Sequence, residues 1–285
     1  MATPSSSSFK AYHADFHAIT GASPSISICA ESPDSTPLFH EACVIVASGT
    51  SNALFVTSNR IRGSSNSDIV VITKVDLDST PYTLESVDVD IRMANGGVNY
   101  GTSSMLVCEQ GDHNRAGGIV HMTTSPAYRT ETLLSDFYGT PFNSVNDVVV
   151  AKDGAIWFTD PIYGSEQGFR GKPQLPAQVY RFDPTSGSVR AVADGFGRPN
   201  GLAFSPDESV LYVTVSDLGR ECLAAEALLE SVYSTAMSRA GELTVLKDTD
   251  HIHGDGTTDP TRASSMYVSI ITNSCYPPCH LVILH

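Results

Sequence analysis

Short apolar runs, each broken by Ser, Gly, Asn or Asp, follow one another along most of this chain. They predict strands at 25–30, 43–47, 53–57, 69–75, 82–91, 104–108, 118–122, 147–151, 155–159, 178–182, 188–193, 201–204 and 210–214. No helix-period segment interrupts the series up to Thr214. The series argues for an all-β fold and against a Rossmann or barrel α/β fold, in which strands alternate with helices. Lys152-Asp-Gly154 and Ser205-Pro-Asp-Glu208 read as turns, with Asp207 a hairpin residue rather than a catalytic acid. Trp157 and Phe158 alternate along one strand and are expected to pack between layers; sugar stacking by Trp157 is the lesser alternative.

The series contains a repeat. The stretch NSVNDVVVAKDGAIWFTD (143–160) is followed, about fifty residues on, by RPNGLAFSPDESVLYVT (198–214). Each unit runs from a polar Asn through a short apolar strand and an Asp-containing turn into a second apolar strand. That period is the mark of a β-propeller, with one four-stranded blade per repeat. Asn146 and Asn200 open equivalent strands and are therefore expected to meet at the central axis. Taken singly, each precedes Asp or Gly and reads as an ordinary turn residue.

The pattern changes after Thr214. Residues 219–237, with Leu223, Ala224, Ala227, Leu228 and Val232, read as an amphipathic helix where further strands should follow. The predicted organisation is a loose Ser-rich arm (1–24), propeller blades (25–214), an atypical helical insertion (215–247), and a partial blade with a strand at 265–271 and an apolar tail (248–285) with no evident blade to join.

Composition narrows the functions. A hydrophobic fraction of 41% over 285 residues supports a packed core, and a net charge of −14 repels phosphate backbones, which argues against a nucleic-acid partner. The six cysteines show no disulfide framework; Cys43 and Cys108 read as buried thiols, and Cys275 and Cys279 lack the partners a zinc site needs. No apolar run reaches the length of a signal core or a membrane span, so a cytoplasmic protein without a membrane partner is expected. The histidines share no ligand spacing.

Several segments carry a resemblance: FHEACV (39–44), LFVTSNR (54–60), NGGVNY (95–100), FYGTPFNSVND (137–147), WFTDPIYG (157–164), QVYRFD (178–183), GRPNGL (197–202) and HGDGTT (253–258). Together they resemble the family of gluconolactonase, senescence marker protein and luciferin-regenerating enzyme, its fungal lactonohydrolase-like members in particular. The resemblance implies a six-bladed propeller with one divalent cation at the axis. Ca²⁺ is the first expectation, with Mg²⁺, Mn²⁺ or Zn²⁺ as alternatives. Carried over by motif, Glu41 matches the first-blade carboxylate ligand, Asn200 a ligand Asn, and Asn146 the Asn that binds metal or touches substrate. Without that match, Glu41 beside His40 reads as an ordinary exposed pair. Oxygen donors of low total charge suit a hard cation, and the implied reaction is hydrolysis of a small-molecule lactone or related ester.

The chain departs from the family in one respect that matters for chemistry. The metal-binding and catalytic Asp of a later blade lies in a Pro-Asp-Gly motif, which is absent; the only Pro-Asp pairs are Pro33-Asp34 and Pro206-Asp207. No catalytic residue is therefore assigned. The propeller is expected to be incomplete at its C-terminal side and the activity impaired. Val215-Ser216 and Val268-Ser269, where the resemblance stops, read as the starts of retained intervening sequence, the alternative being a genuine insertion with real truncation. The competing reading is a non-catalytic propeller that binds a metal or a small molecule. An interaction propeller of the WD or kelch type is disfavoured, since neither signature occurs.

Overall fold

The structure, a computed structural model, describes residues 26–47, 51–63, 67–205, 207–215, 231–237, 243–246 and 280–284. The expected N-terminal arm, the strand at 265–271, the HGDGTT segment and Cys275 and Cys279 lie outside the described residues.

Strand β1 (Ile26–Glu31) precedes four antiparallel four-stranded sheets. The first sheet contains β2 (Glu41–Ala47) and β3 (Asn52–Thr57) and, after the small hairpin β4 (Ile61–Arg62) and β5 (Asp68–Ile69), β6 (Ile72–Asp76) and β7 (Thr83–Val87). The second is β8 (Ala94–Asn99), β9 (Ser104–Gly111), β10 (Ala116–Thr123) and β11 (Thr130–Leu134). The hairpin β12 (Asp136–Phe137) and β13 (Thr140–Pro141) leads into the third. That sheet is β14 (Val148–Val150), β15 (Ile156–Asp160), β16 (Gln178–Asp183) and β17 (Ser188–Ala193), with the one-turn helix α1 (Tyr163–Glu166) between β15 and β16. The fourth is β18 (Pro199–Phe204), β19 (Val210–Val215), β20 (Ser231–Met237) and β21 (Leu243–Leu246). Strand β22 (His280–Leu284) pairs antiparallel with β1.

Each sheet is an up-and-down meander, and the first strands β2, β8, β14 and β18 pack side by side in chain order. This is propeller architecture: sheets arrayed about an axis with their first strands innermost. Strand alternation explains the packing. Val107 faces the first sheet beside Phe55 and Met105, while Leu106 and Cys108 face the third beside Ile156 and Phe158. Trp157, on the opposite face from its neighbours, packs with Leu202, Leu211 and Val213 of the fourth sheet and meets Phe204 edge-on at 5.6 Å. Trp157 is thus an inter-sheet core residue. Ala30 of β1 covers the remaining face of the first sheet at Leu54, Val56 and Val75.

Two expectations are corrected. The helix at 219–237 does not hold over Ser231–Met237, which is a strand paired along β19; residues 219–230 lie outside the described residues. The apolar tail does find a partner, since Ile26 pairs with Leu284 and Glu31 with His280. The thiols of Cys29, Cys43 and Cys108 are free; Cys108 is fully buried and Cys43 partly so. Asp207 behaves as a turn residue: Ser205 and Ser209 donate to its carboxylate and hold its pKa near about 2. Among the described residues no helix is long and apolar enough to cross a membrane.

Candidate active site

In a meander, the start of the first strand and the connection between the second and third strands lie on the same rim. Four polar residues occupy that rim at the start of the inner strands: Glu41 on β2, Asn95 on β8, Asn146 just before β14, and Asn200 on β18. Hydrogen bonds thread them together from sheet to sheet. Thr57 Oγ1 donates to the Asn95 carbonyl at 3.0 Å, Gly96 N–H to the Asn146 carbonyl at 2.8 Å, and Thr159 Oγ1 to the Asn200 carbonyl at 2.7 Å. Glu41 pairs with the same Thr57 across the first sheet. A Thr at or next to the end of a second strand therefore latches the Asn near the start of the next sheet, at Thr57 and again at Thr159.

Sequence reasoning did not assign Asn95. Its signal was present: Asn95-Gly96 repeats the dipeptide Asn200-Gly201. It also left Asp147 unassigned. Asp147 lies in the seam among three inner strands, with Oδ2 accepting from Leu202 N at 2.8 Å. A Cβ on Gly96 would stand 2.6 Å from Asp147 Oδ1, so glycine is required there for the carboxylate to fit. Burial raises the Asp147 pKa to about 6 and outweighs the hydrogen bonds from Leu202 and Val148 that favour the anion. Burial pushes the Cys108 thiol up, and the negative charges of Asp147 and Glu41 add to that direction.

Glu41 is 30% exposed at its side chain and Asn146 is 4% exposed. His40 Nε2 lies 3.8 Å from Glu41 Oε1, and burial lowers the imidazole pKa. Among the described residues no three His, Cys, Asp or Glu side chains gather as a metal cluster. A cation on this rim would draw on the amide oxygens of Asn alongside Glu41. That all-oxygen donor set fits a hard divalent ion and not a soft one.

The β15–β16 connection roofs the rim. Helix α1 places the Tyr163 hydroxyl 3.3 Å from Asn200 Nδ2. Glu166 accepts from Arg198, before the fourth sheet, at 2.9 Å, while the next residue, Gln167, accepts through its carbonyl from Arg60 of the first sheet at 3.2 Å. Gly168 O lies 3.1 Å from His113 Nε2 of the second sheet. The β15–β16 connection thus touches residues that follow β3, join β9 to β10 and precede β18. Arg170 anchors its far end by donating to the carbonyls of Asp112, Arg115, Phe142 and Asn143. A cavity of about 280 Å³ lies beside it, lined by His113, Asn143, Lys172 and Gln174 among others. Under this wall Asp160 accepts from Asn143 N at 2.9 Å and Ser144 N at 2.7 Å; burial nonetheless raises its pKa to about 7.

Comparison with known proteins agrees with the family the motifs resemble. Residues 104–227 match the SMP-30/Gluconolactonase/LRE-like region. Lactonohydrolase oryL of Aspergillus oryzae is 44% identical over 92 residues, which is 32% of this chain and 21% of that protein. The gluconolactonase of Zymomonas mobilis is 40% identical over 106 residues, 34% of this chain and 28% of that one. The matched stretches thus span less than a third of these relatives. Among solved structures, a gluconolactonase of Xanthomonas campestris superposes with a TM-score of 0.56 at 24% identity, covering 79% of this chain and 65% of that one. Pseudomonas fluorescens PhoX superposes with a TM-score of 0.52 at 14% identity, covering 70% and 54%. These two likenesses concern the fold alone.

Proposed function

We propose that this chain, whose residues 104–227 carry an SMP-30/gluconolactonase/LRE-like region, hydrolyses a small-molecule lactone or related ester at a divalent cation held on the inner-strand rim. The observation that carries this reading is the register-matched set Glu41, Asn95, Asn146 and Asn200, threaded sheet to sheet by hydrogen bonds. Glu41, Asn146 and Asn200 would hold the ion, with Asn146 also placed to touch substrate. Ca²⁺ is the first candidate and Mg²⁺, Mn²⁺ and Zn²⁺ the alternatives. When bound, the cation would supply polarisation of a carbonyl and stabilisation of negative charge on its oxygen. The chain's own residues would do the rest: Glu41 contributes the one carboxylate, the amides orient, and the segment from Tyr163 to Arg170 restricts water. Six blades, a cytoplasmic location and a pathway of sugar acids or secondary metabolites belong to the same proposal.

The missing Pro-Asp-Gly motif leaves no assigned general base, so turnover by the 285-residue chain is expected to be slow. The same absence favours a second reading, a propeller that binds a cation or small molecule without catalysis. Thermal unfolding with and without Ca²⁺, paired with lactone hydrolysis followed by pH-stat, separates the two. At a hundredfold excess over Kd the ion stabilises by about 2.7 kcal/mol. Stabilisation with chelator-sensitive hydrolysis supports the enzyme; stabilisation without turnover supports the binding propeller. Absence of any Ca²⁺ effect in the wild type, or an unchanged effect in Glu41→Gln, removes the central cation.

A further inference from the structure

We propose that the cavity beside Arg170 is a binding site for a small hydroxycarboxylate, an organic acid anion with a hydroxylated body. The site goes beyond lactone hydrolysis and does not need a central cation. The cavity, of about 280 Å³, lies between the β9–β10 turn and the β15–β16 connection. That volume is near the lower end of ligand pockets, so the occupant is a molecule of few atoms.

The balance of donors and acceptors identifies the ligand. The acceptors of the wall are spent. Arg170 donates through Nε to the Asn143 carbonyl at 3.0 Å, through Nη1 to those of Asp112 at 3.0 Å and Arg115 at 2.8 Å, and through Nη2 to that of Phe142 at 2.7 Å. The Asn143 amide donates to the Leu175 carbonyl and accepts from Gln174 N–H and Leu175 N–H. The lone carboxylate of the lining, Asp112, serves its own turn: Oδ1 accepts from Asn114 N–H at 2.7 Å and Arg115 N–H at 2.9 Å, and Oδ2 lies 3.8 Å from Arg92 Nη1. Donors are left over. Arg115, which lines the cavity, gives its terminal nitrogens to Asp90 and Glu109, but its buried Nε–H has no acceptor among the described residues. Lys172 is exposed and pairs with no carboxylate among the described residues. Asp90 and Glu109 balance Arg115, so Lys172 supplies the charge that an entering anion meets. Surplus cationic donors beside exhausted acceptors are complementary to an oxyanion. The Ser165 hydroxyl and the Gln174 amide, which both donate and accept, suit hydroxyl groups on the rest of the ligand.

Calorimetric titration of the 285-residue protein with threonate tests the site, with threitol as the uncharged counterpart and inorganic phosphate as the competing anion. Chelator is present throughout, so the outcome is independent of the central-cation reading. Threonate is expected to bind the wild type at one site, and threitol at least about tenfold more weakly. Lys172→Gln should weaken threonate about fivefold. Gly171→Trp should abolish its binding: Gly171 lines the cavity, and a Cβ there meets no atom within 4 Å, so the indole enters open space. Both residues are exposed, and Tm is expected to stay at the wild-type value in both variants. No threonate heat at millimolar concentration overturns the site, as does equal affinity for threonate and threitol. Wild-type affinity in both variants places any binding elsewhere and overturns it too. Phosphate that binds more tightly than threonate makes the ligand an inorganic oxyanion and overturns the hydroxycarboxylate assignment.

Discussion

The third and fourth sheets begin as copies and diverge one residue after the shared Asn. In the third, Asn146 is followed by Asp147, whose carboxylate fills the seam; in the fourth, Asn200 is followed by Gly201, which leaves room for it. The second strands repeat the contrast. Thr159 and Thr214 correspond, but the next residue is the buried carboxylate Asp160 in one and the buried aliphatic Val215 in the other. The sheets are therefore not interchangeable. One carries polar groups into the interface and the next is shaped to receive them, so a repeat in sequence becomes a set of complementary faces.

The sharpest way to break this arrangement is to remove the room. Gly96→Val would drive side-chain carbon against Asp147 Oδ1 and the Asn146 carbonyl, both 2.6 Å from the Cβ position, and against the Asp147 Cα at 2.9 Å. Two of those atoms are backbone, so the seam must open. A loss of about 3 kcal/mol or more in urea unfolding is expected. A loss under about 1 kcal/mol would show that the inner strands slide freely.

The third sheet should also carry a pH dependence through its buried carboxylates. Asp160 has a folded pKa of about 7, above the ordinary Asp value of 3.8. The folded state thus holds the proton more tightly, and the stability this contributes is present in full below the unfolded pKa and lost as pH rises through about 7. Asp147, with a folded pKa of about 6, acts in the same direction at lower pH. The Asp160 step is on the order of 4 kcal/mol. Urea midpoints with chelator between pH 4 and 8 should fall for the wild type and fall less above pH 6 for Asp160→Asn. Identical profiles would remove the titration from Asp160.

The smallest effect compares the paired threonines directly. Thr159 Oγ1 both donates to the Asn200 carbonyl and accepts from Asp147 N–H at 3.1 Å, whereas Thr214 Oγ1 accepts from Gly201 N–H. Thr159→Val should cost about 2 kcal/mol and Thr214→Val about 1 kcal/mol, because the former strands two polar groups of the buried seam. Equal costs would mean that the latch between sheets adds nothing to an ordinary turn bond.

Most of the strands were legible because sheet faces bury every second side chain, and Val, Ile, Phe and Trp at that period survive any rearrangement of context. β8 was not, and the cause is physical. Gly96 and Gly97 break the apolar pattern, yet both are demanded by close backbone approach: a Cβ on Gly97 would lie 2.8 Å from the Leu106 carbonyl. The feature that makes β8 an inner strand hid it, and Asn95 with it. Over Ser231–Met237 the expected helix erred in the opposite sense. Leu223, Ala224 and Leu228 have helical spacing, but Ser231–Met237 takes up the free hydrogen-bonding edge of β19. Satisfying a row of backbone groups outweighs a local propensity worth a few tenths of a kcal/mol per residue.

The order of the chain alone determined an all-β repeat with Asn at matched positions, because period and residue type are local properties that pleating converts directly into faces. Tertiary structure decided which groups meet: Asp147 with Leu202, Tyr163 with Asn200, Arg60 with Gln167. Those contacts join residues far apart in sequence, and their existence depends on sheet stacking and on where one connection happens to cross the rim.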